Sequence, residues 1–197
     1  MTKQEELENL HKKWAQECQC ELKKTAKQAV PGVGSAETEI VFIGEAPGRS
    51  EDEKGEPFVG AAGKFLNEML GEIGMQREDI YITNIVKYRP PNNRDPLPEE
   101  KEACREWLSE ELKIISPKLI IFLGRHAMNN FFPKLKISEA HGKLLIKLIR
   151  GMSTKYFFPL YHPAAALYDG SMREVLKEDF KKIPKVLLKI KELQTGV

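Results

Sequence analysis

The spacing of apolar and polar positions divides this chain into alternating helices and strands. From Glu5 to Lys27 apolar residues recur at helical spacing, which predicts an N-terminal helical segment within residues 1–30. "PGVGSAE" then breaks the pattern before a short β-rich run, Glu39 to Ile43. A helix from about Ala62 should end at Gly74, a residue suited to a left-handed cap, and "DIYITNIV" follows as a strand. The loop "YRPPNNRDPLP" is stiffened by prolines, and Pro98 opens a helix whose first turn is acidic. "KLIIFLG", bounded by Pro117 and Gly124, reads as a buried strand, with a short helix at "RHAMNNFF" behind it. "KLLIKLI" and "KYFFPLY" are further strands. Residues 171–197 form an amphipathic helical tail in which Pro184 forces a kink or a fresh start.

Strands alternating with helices imply a three-layer α/β/α domain around a mostly parallel sheet of about four to five strands. A chain of 197 residues fits one such domain, so 1–197 is read as a single unit. Net charge is only +2, so any nucleic-acid surface must come from local clustering. The start "MTKQEELENLHKKW" lacks the apolar core of a secretion signal, and no run approaches the roughly 18 apolar residues of a membrane span. A cytoplasmic protein without membrane contact is expected. Three cysteines in such a chain argue against a disulfide framework and leave metal binding or plain burial.

In open α/β sheets, sites form beyond the carboxyl ends of the strands. Three unusual stretches sit at such ends: "GEAPG", "TNIVKYRPP" and "YHPAAAL". Glycine and Pro47 would let backbone approach a ligand closely and hold Glu45 at the strand exit. Phe58, between Pro57 and Gly60, is a loop anchor or an aromatic stacking platform. Asn84 stands in an apolar strand, where its amide needs a structural partner or a ligand. His162 precedes a proline and is therefore extended. His11, His126 and His141 are assigned to structure or surface.

In this order "GEAPG", "ED", "G-x-PFVG-x-AG", "TN-x-x-K", "RPP-x-NR-x-P" and "YHPAAAL" resemble the family 4 uracil-DNA glycosylases, from about Cys20 to Leu167. The resemblance implies a monofunctional glycosylase that acts on uracil-containing DNA as a monomer. A base in duplex DNA must be flipped from the stack, at roughly a few kcal/mol, before its polar edge is read. By resemblance Phe58 would stack on uracil beside Ala46. The Asn84 amide would meet O4 and N3–H, a pattern that cytosine reverses. His162 would donate to O2 as charge builds there. Glu45, with backbone carbonyls of its loop, would place the attacking water.

Glu51 is the matching candidate for blocking the thymine methyl, with a solvated loop carboxylate as the plain alternative. DNA contacts would come from Pro47, Gly48, Arg89 and Arg94, with Lys87, Arg125 and Arg173 adding charge. Leu167 is either an unstacking wedge or the first core residue of a helix.

The family also implies a 4Fe-4S cluster on four cysteines, two in an N-terminal C-x-x-C and two flanking the proline-rich loop. Here Cys20 and Cys104 match the second and fourth ligands. Glu17 stands at the first, Cys18 lies one residue off, and Tyr88 takes the third. A phenol is a poor substitute for a soft sulfur ligand, so no stable cluster is expected unless Cys18 swings in with a non-cysteine partner. The other function carried is a catalytically weak uracil or damaged-DNA binding module. A phosphate-binding nucleotide protein lacks the G-x-x-x-x-G-K-[ST] and G-x-G-x-x-G strings.

Overall fold

The computed structural model describes residues 1–195. The sheet grows outward from the apolar runs. Ile40–Gly44 (β2), Tyr81–Asn84 (β3), Leu119–Leu123 (β4) and Tyr156–Leu160 (β6) are buried along their whole length, as strands covered on both faces must be. They pair in parallel, β3 and β4 flanking β2, and β6 beside β4. Val33–Gly34 (β1) and Leu145–Ile146 (β5) close the two edges in antiparallel fashion, giving the order β1-β3-β2-β4-β6-β5. The count is therefore six. The extra strand is β1, two residues of the "PGVGSAE" break whose extended backbone pairs with β3.

Alternation along each strand distributes side chains between two cores. Val41, Ile43, Ile120, Phe122 and Phe157 face one side, against Trp107, Leu108 and Leu112 of Pro98–Ile115 (α4), Met128 of Arg125–Phe131 (α5) and Ala140 of the single turn Ile137–Ala140 (α6). Phe42, Ile121, Leu123 and Phe158 face the other, against Phe65, Leu66 and Met69 of Ala61–Glu72 (α3). Leu176 and Phe180 of Gly170–Phe180 (α8) and Ile190 of Ile183–Thr195 (α9) complete that side. Sheet and two helical layers make the expected three-layer architecture.

The N-terminal helix (α1) stops earlier than its periodicity suggests, at Lys3–Glu17, because Cys18 and Cys20 turn extended and send their thiols into the core. A 3-10 turn, Glu21–Lys24, follows. The loop after β2 contains a short helix, Arg49–Lys54 (α2), capped by Gly55 in the left-handed region at φ 77°. Pro184 gives a fresh start: α8 ends at Phe180, and α9 begins at Ile183 with Pro184 next in its first turn.

Register brings the strand exits together. Gly44 pairs with Asn84, Ile43 with Phe122, and Leu123 with Leu160. The residues that follow β2, β4 and β6 thus surround one crevice, where the chain leaves β2 toward β3 on one side and crosses to β4 on the other.

Candidate active site

A cavity of about 340 Å³ opens at these exits, lined by Glu45, Ala46, Pro47, Gly48, Glu51, Phe58, Asn84, Arg94 and His162, with Ala62, Pro90, Asn93 and Ala164. Nine residues expected at the site therefore share one wall. Arg89 and Leu167 lie outside the lining. Arg89 donates through Nε to Asn93 at 2.7 Å, and Leu167 is 45% exposed on the short helix Ala165–Tyr168 (α7). A larger groove of about 680 Å³ lies elsewhere, bounded by Ser116, Ser153 and Thr154, just ahead of β4 and β6. It is lined by no histidine or carboxylate, so volume alone does not mark the chemistry.

Phe58 is held in an unusual conformation. Its φ of 54° is left-handed, a cost that surrounding bonds must offset. Arg77 donates to the Phe58 carbonyl at 2.9 Å and to that of Pro57. Glu51 accepts from the Val59 and Gly60 amides at 3.0 and 2.8 Å, and from Gly48 at 3.1 Å. Its carboxylate thus clamps the two ends of the loop together. A Cβ on Gly63 would come within 1.8 Å of the Phe58 carbonyl oxygen, and one on Gly44 within 2.4 Å of Asn84 Oδ1 and 2.7 Å of Phe58 Cζ. Glycine at both positions lets the aromatic ring and the amide meet over bare backbone. The His162 ring lies 5.6 Å from that of Phe58 between centroids.

Asn84 is anchored from behind. Lys87, expected to add charge toward DNA, is instead fully buried and pairs with Glu111 of α4 at 2.6 Å. Its ammonium also donates to the Asn84 carbonyl at 2.9 Å and to Thr83 Oγ1. Glu111 further accepts from Thr83 at 3.0 Å and Tyr81 at 3.1 Å, and lies 3.1 Å from His11 Nε2. Burial would push the Glu111 carboxyl up, but the charge of Lys87 and the bond to His11 bring it down to about 2. A buried lysine needs such a partner, and both charges are spent inside the protein. Arg173 is likewise committed, to Glu68 of α3 at 2.6 Å. Arg94 grips Glu100 with two bonds of 2.8 and 2.5 Å while still lining the cavity.

Two buried acceptor oxygens remain without partners at the crevice: Asn84 Oδ1 and Glu45 Oε1. A donor entering the crevice would satisfy Asn84 Oδ1, as a buried amide oxygen requires. His162 Nδ1 accepts from the Ala164 amide at 3.1 Å, which places the ring proton on Nε2. Burial pushes His162 down to about 4, so the ring is a neutral donor at pH 7. Glu45 is pushed up to about 7, first by burial and then by Asp95, against the pull of Lys101 and Arg125.

Sequence reading missed His126. It sits beside Glu45, Nδ1 at 3.5 Å from Glu45 Oε1, and Nε2 at 3.3 Å from Asp95 Oδ2. The neighbouring exits of β2 and β4 bring them together, a consequence of sheet order that no local motif encodes. Arg77 escaped for the same reason: its partners at Pro57 and Phe58 lie well back along the chain.

The three cysteines do converge. Their buried thiols are close enough to couple: Cys104 draws Cys18 down to about 6 and Cys20 down as well, and is itself pushed up by both. Cys18 and Cys20 also donate to the Ala103 and Glu100 carbonyls at 3.6 and 3.7 Å. Tyr88, at the remaining ligand position, has its hydroxyl pushed up by burial and then by the cysteines, so it stays a neutral phenol. Three cysteines and a neutral phenol do not supply the ligands of a four-thiolate cubane. Glu17 is exposed at the end of α1.

A family model described as the uracil DNA glycosylase superfamily matches residues 31–187. By that match and this fold, the chain belongs to the uracil DNA glycosylase superfamily. Its relatives narrow the branch. A type-4 uracil-DNA glycosylase of Archaeoglobus fulgidus is 53% identical over 169 residues, covering 83% of this chain and 84% of the relative. Another from Saccharolobus solfataricus is 49% identical over 177 residues, covering 86% and 82%. A third, from Sulfurisphaera tokodaii, is 48% identical over 170 residues, covering 83% and 77%.

Proposed function

We propose that this protein is a monofunctional type-4 uracil-DNA glycosylase, hydrolysing the N-glycosidic bond of deoxyuridine in DNA to release uracil and leave an abasic site. The observation that carries it is a buried acceptor without a protein partner, Asn84 Oδ1, at one cavity with Phe58, Glu45 and a neutral His162.

Uracil flipped into this cavity stacks on Phe58, packs on Ala46 and presents N3–H to Asn84 Oδ1, while the amide nitrogen donates to O4. Cytosine offers a lone pair and an amino group at these two positions, so it would leave both polar groups mismatched. As the glycosidic pair withdraws to uracil N1, negative charge gathers on O2 and meets the Nε2–H of His162. A donor fixed in place before the charge appears stabilises it without reorganisation. Water adds its oxygen to C1′, and its proton passes to Glu45, which must be ionised to take it. Glu51 blocks the thymine methyl through the rigidity of its three-amide clamp. Pro47, Gly48, Arg89 and Arg94 contact the DNA backbone, and Leu167, exposed beside Ala164, fills the gap left by the base.

We further propose a monomeric, cytoplasmic enzyme whose residues 1–197 form one glycosylase domain and which works without an iron-sulfur cluster. Among the described residues no helix is long and apolar enough to cross a membrane. The test is cleavage of a labelled oligonucleotide with one deoxyuridine, followed by alkali, with wild-type and His162→Ala protein. Strand breaks should appear only at uracil, with the variant slower by about 100-fold or more. Folded wild-type protein that binds the DNA but yields no breaks would instead favour the binding-module reading.

A further inference from the structure

We propose that His126 is a positioning residue for Glu45, supplying through Nδ1–H the donor that the orphaned Glu45 oxygen lacks. The inference rests on Glu45 handling the attacking water, as proposed above.

Geometry on three sides supports it. The ring lies at the start of α5, and one atom each of Glu45, Asp95 and His126 fall within 4.8 Å of one another. On the far side of the ring, Arg125 donates through Nε to His126 Nε2 at 3.0 Å. The same Nε2 also lies 3.3 Å from Asp95 Oδ2, but the shorter contact is with the donor, and a nitrogen that accepts from Arg125 carries no proton in the neutral ring, which leaves the hydrogen on Nδ1, facing Glu45. At 3.5 Å the gap to Glu45 Oε1 is about half an ångström longer than a formed N–H···O bond. Contacts of this kind tighten when substrate closes the site.

Asp95 belongs to the proline-rich loop that carries Arg89 and Arg94. The titratable neighbours of Glu45 are Asp95, Lys101, Arg125 and His126, and those of His126 are Glu45, Asp95, Arg125, Lys101 and His162. Burial, opposed by Asp95, holds His126 below its ordinary value, so the ring is neutral in the range where Glu45 ionises. A neutral donor favours the carboxylate over the acid. Its removal should therefore move the Glu45 ionisation upward.

The experiment measures single-turnover uracil release from a duplex oligonucleotide between about pH 5 and pH 9, with full-length His126→Asn, His126→Phe, His126→Ala and Glu45→Gln proteins. Asparagine keeps a donor near the Nδ1 position, whereas phenylalanine and alanine remove it at large and small volume. The Phe and Ala variants should be slower at pH 7 by about 10-fold, as a hydrogen bond to a charged group implies. Their acid limb should shift upward, while Asn retains most of the rate and DNA affinity is unchanged. Combined with Glu45→Gln, His126→Ala should cost nothing further.

Equal losses in Asn and Ala, an unmoved acid limb, or additive losses with Glu45→Gln would overturn the role of His126 while leaving Glu45 in place. Full activity of Glu45→Gln would overturn both readings. If the Phe ring prevents folding, the Asn and Ala pair decides the matter alone.

Discussion

Gly44 shows how much of this site depends on a single missing atom. Alanine there would drive a methyl group to 2.4 Å from Asn84 Oδ1 and 2.7 Å from the Phe58 ring, with both neighbours already fixed. Gly44→Ala should therefore lose uracil release by at least about 100-fold, the scale on which a displaced catalytic group fails, while far-ultraviolet circular dichroism stays native. Retained activity would show that Phe58 and Asn84 can move apart without consequence. The pH profile belongs to this scale too. On the proposed mechanism Glu45, held near 7, works ionised and His162, held near 4, works neutral. Turnover of the wild type should rise through about pH 7 and show no further limb until well below it; a single limb near pH 4 would mean that Glu45 is not the titrating group. The sequence strings already disclosed Phe58, Asn84, Glu45 and His162, because each lies in a local motif at a strand end. His126 beside Glu45 was not legible, nor was which side chains the glycine of "GEAPG" at position 44 makes room for, since both come from which strands are neighbours.

At the level of elements, the buried pair Lys87 and Glu111 joins β3 to α4, and His11 brings α1 to the same carboxylate. Glu111→Gln would leave an ammonium buried without a counter-charge and should cost about 3–5 kcal/mol in urea unfolding. The sign with pH follows from the lowered carboxyl. Its stabilisation is complete above the ordinary value of 4.5 and is lost as pH falls toward about 2. Wild-type stability should thus decline across that window more steeply than that of Glu111→Gln, and parallel curves would refute the assignment. Strand and helix types were largely readable from periodicity, but element ends were not. α1 ends at Glu17 because the two cysteines leave the helix for the core, and β1 lies inside a glycine-rich break that only pairing with β3 makes extended. The charge on Lys87 misled in the same way, because a lysine beside a DNA loop reads as a surface contact until its carboxylate partner on α4 is known.

For the whole molecule, the question is what holds the N-terminal segment and the proline-rich loop against α4 where the family pattern calls for a metal cluster. Here Cys18, Cys20 and Cys104 are fully buried in one core, and Tyr88 packs edge-on to Trp107 with centroids 6.5 Å apart. Trp107 in turn stacks on Trp14 of α1 at 6.3 Å. Thiols behave as small apolar groups in such a setting, and each deeply buried aromatic adds an area of roughly 150–250 Å² to the seam. The segment is thus joined to the domain by ordinary core packing. Protein purified without oxygen should accordingly show no broad absorption near about 400 nm and no iron at cluster stoichiometry. Uracil release and thermal midpoint should be unchanged by a strong chelator. Tyr88→Ala, by contrast, should lower stability by about 3–5 kcal/mol, as loss of a buried aromatic does. Because the same loop carries Arg89 and Arg94, it should also weaken DNA binding. Iron at four per chain, with activity lost on its removal, would mean that the thiols separate to admit a cluster and that Tyr88 yields its place.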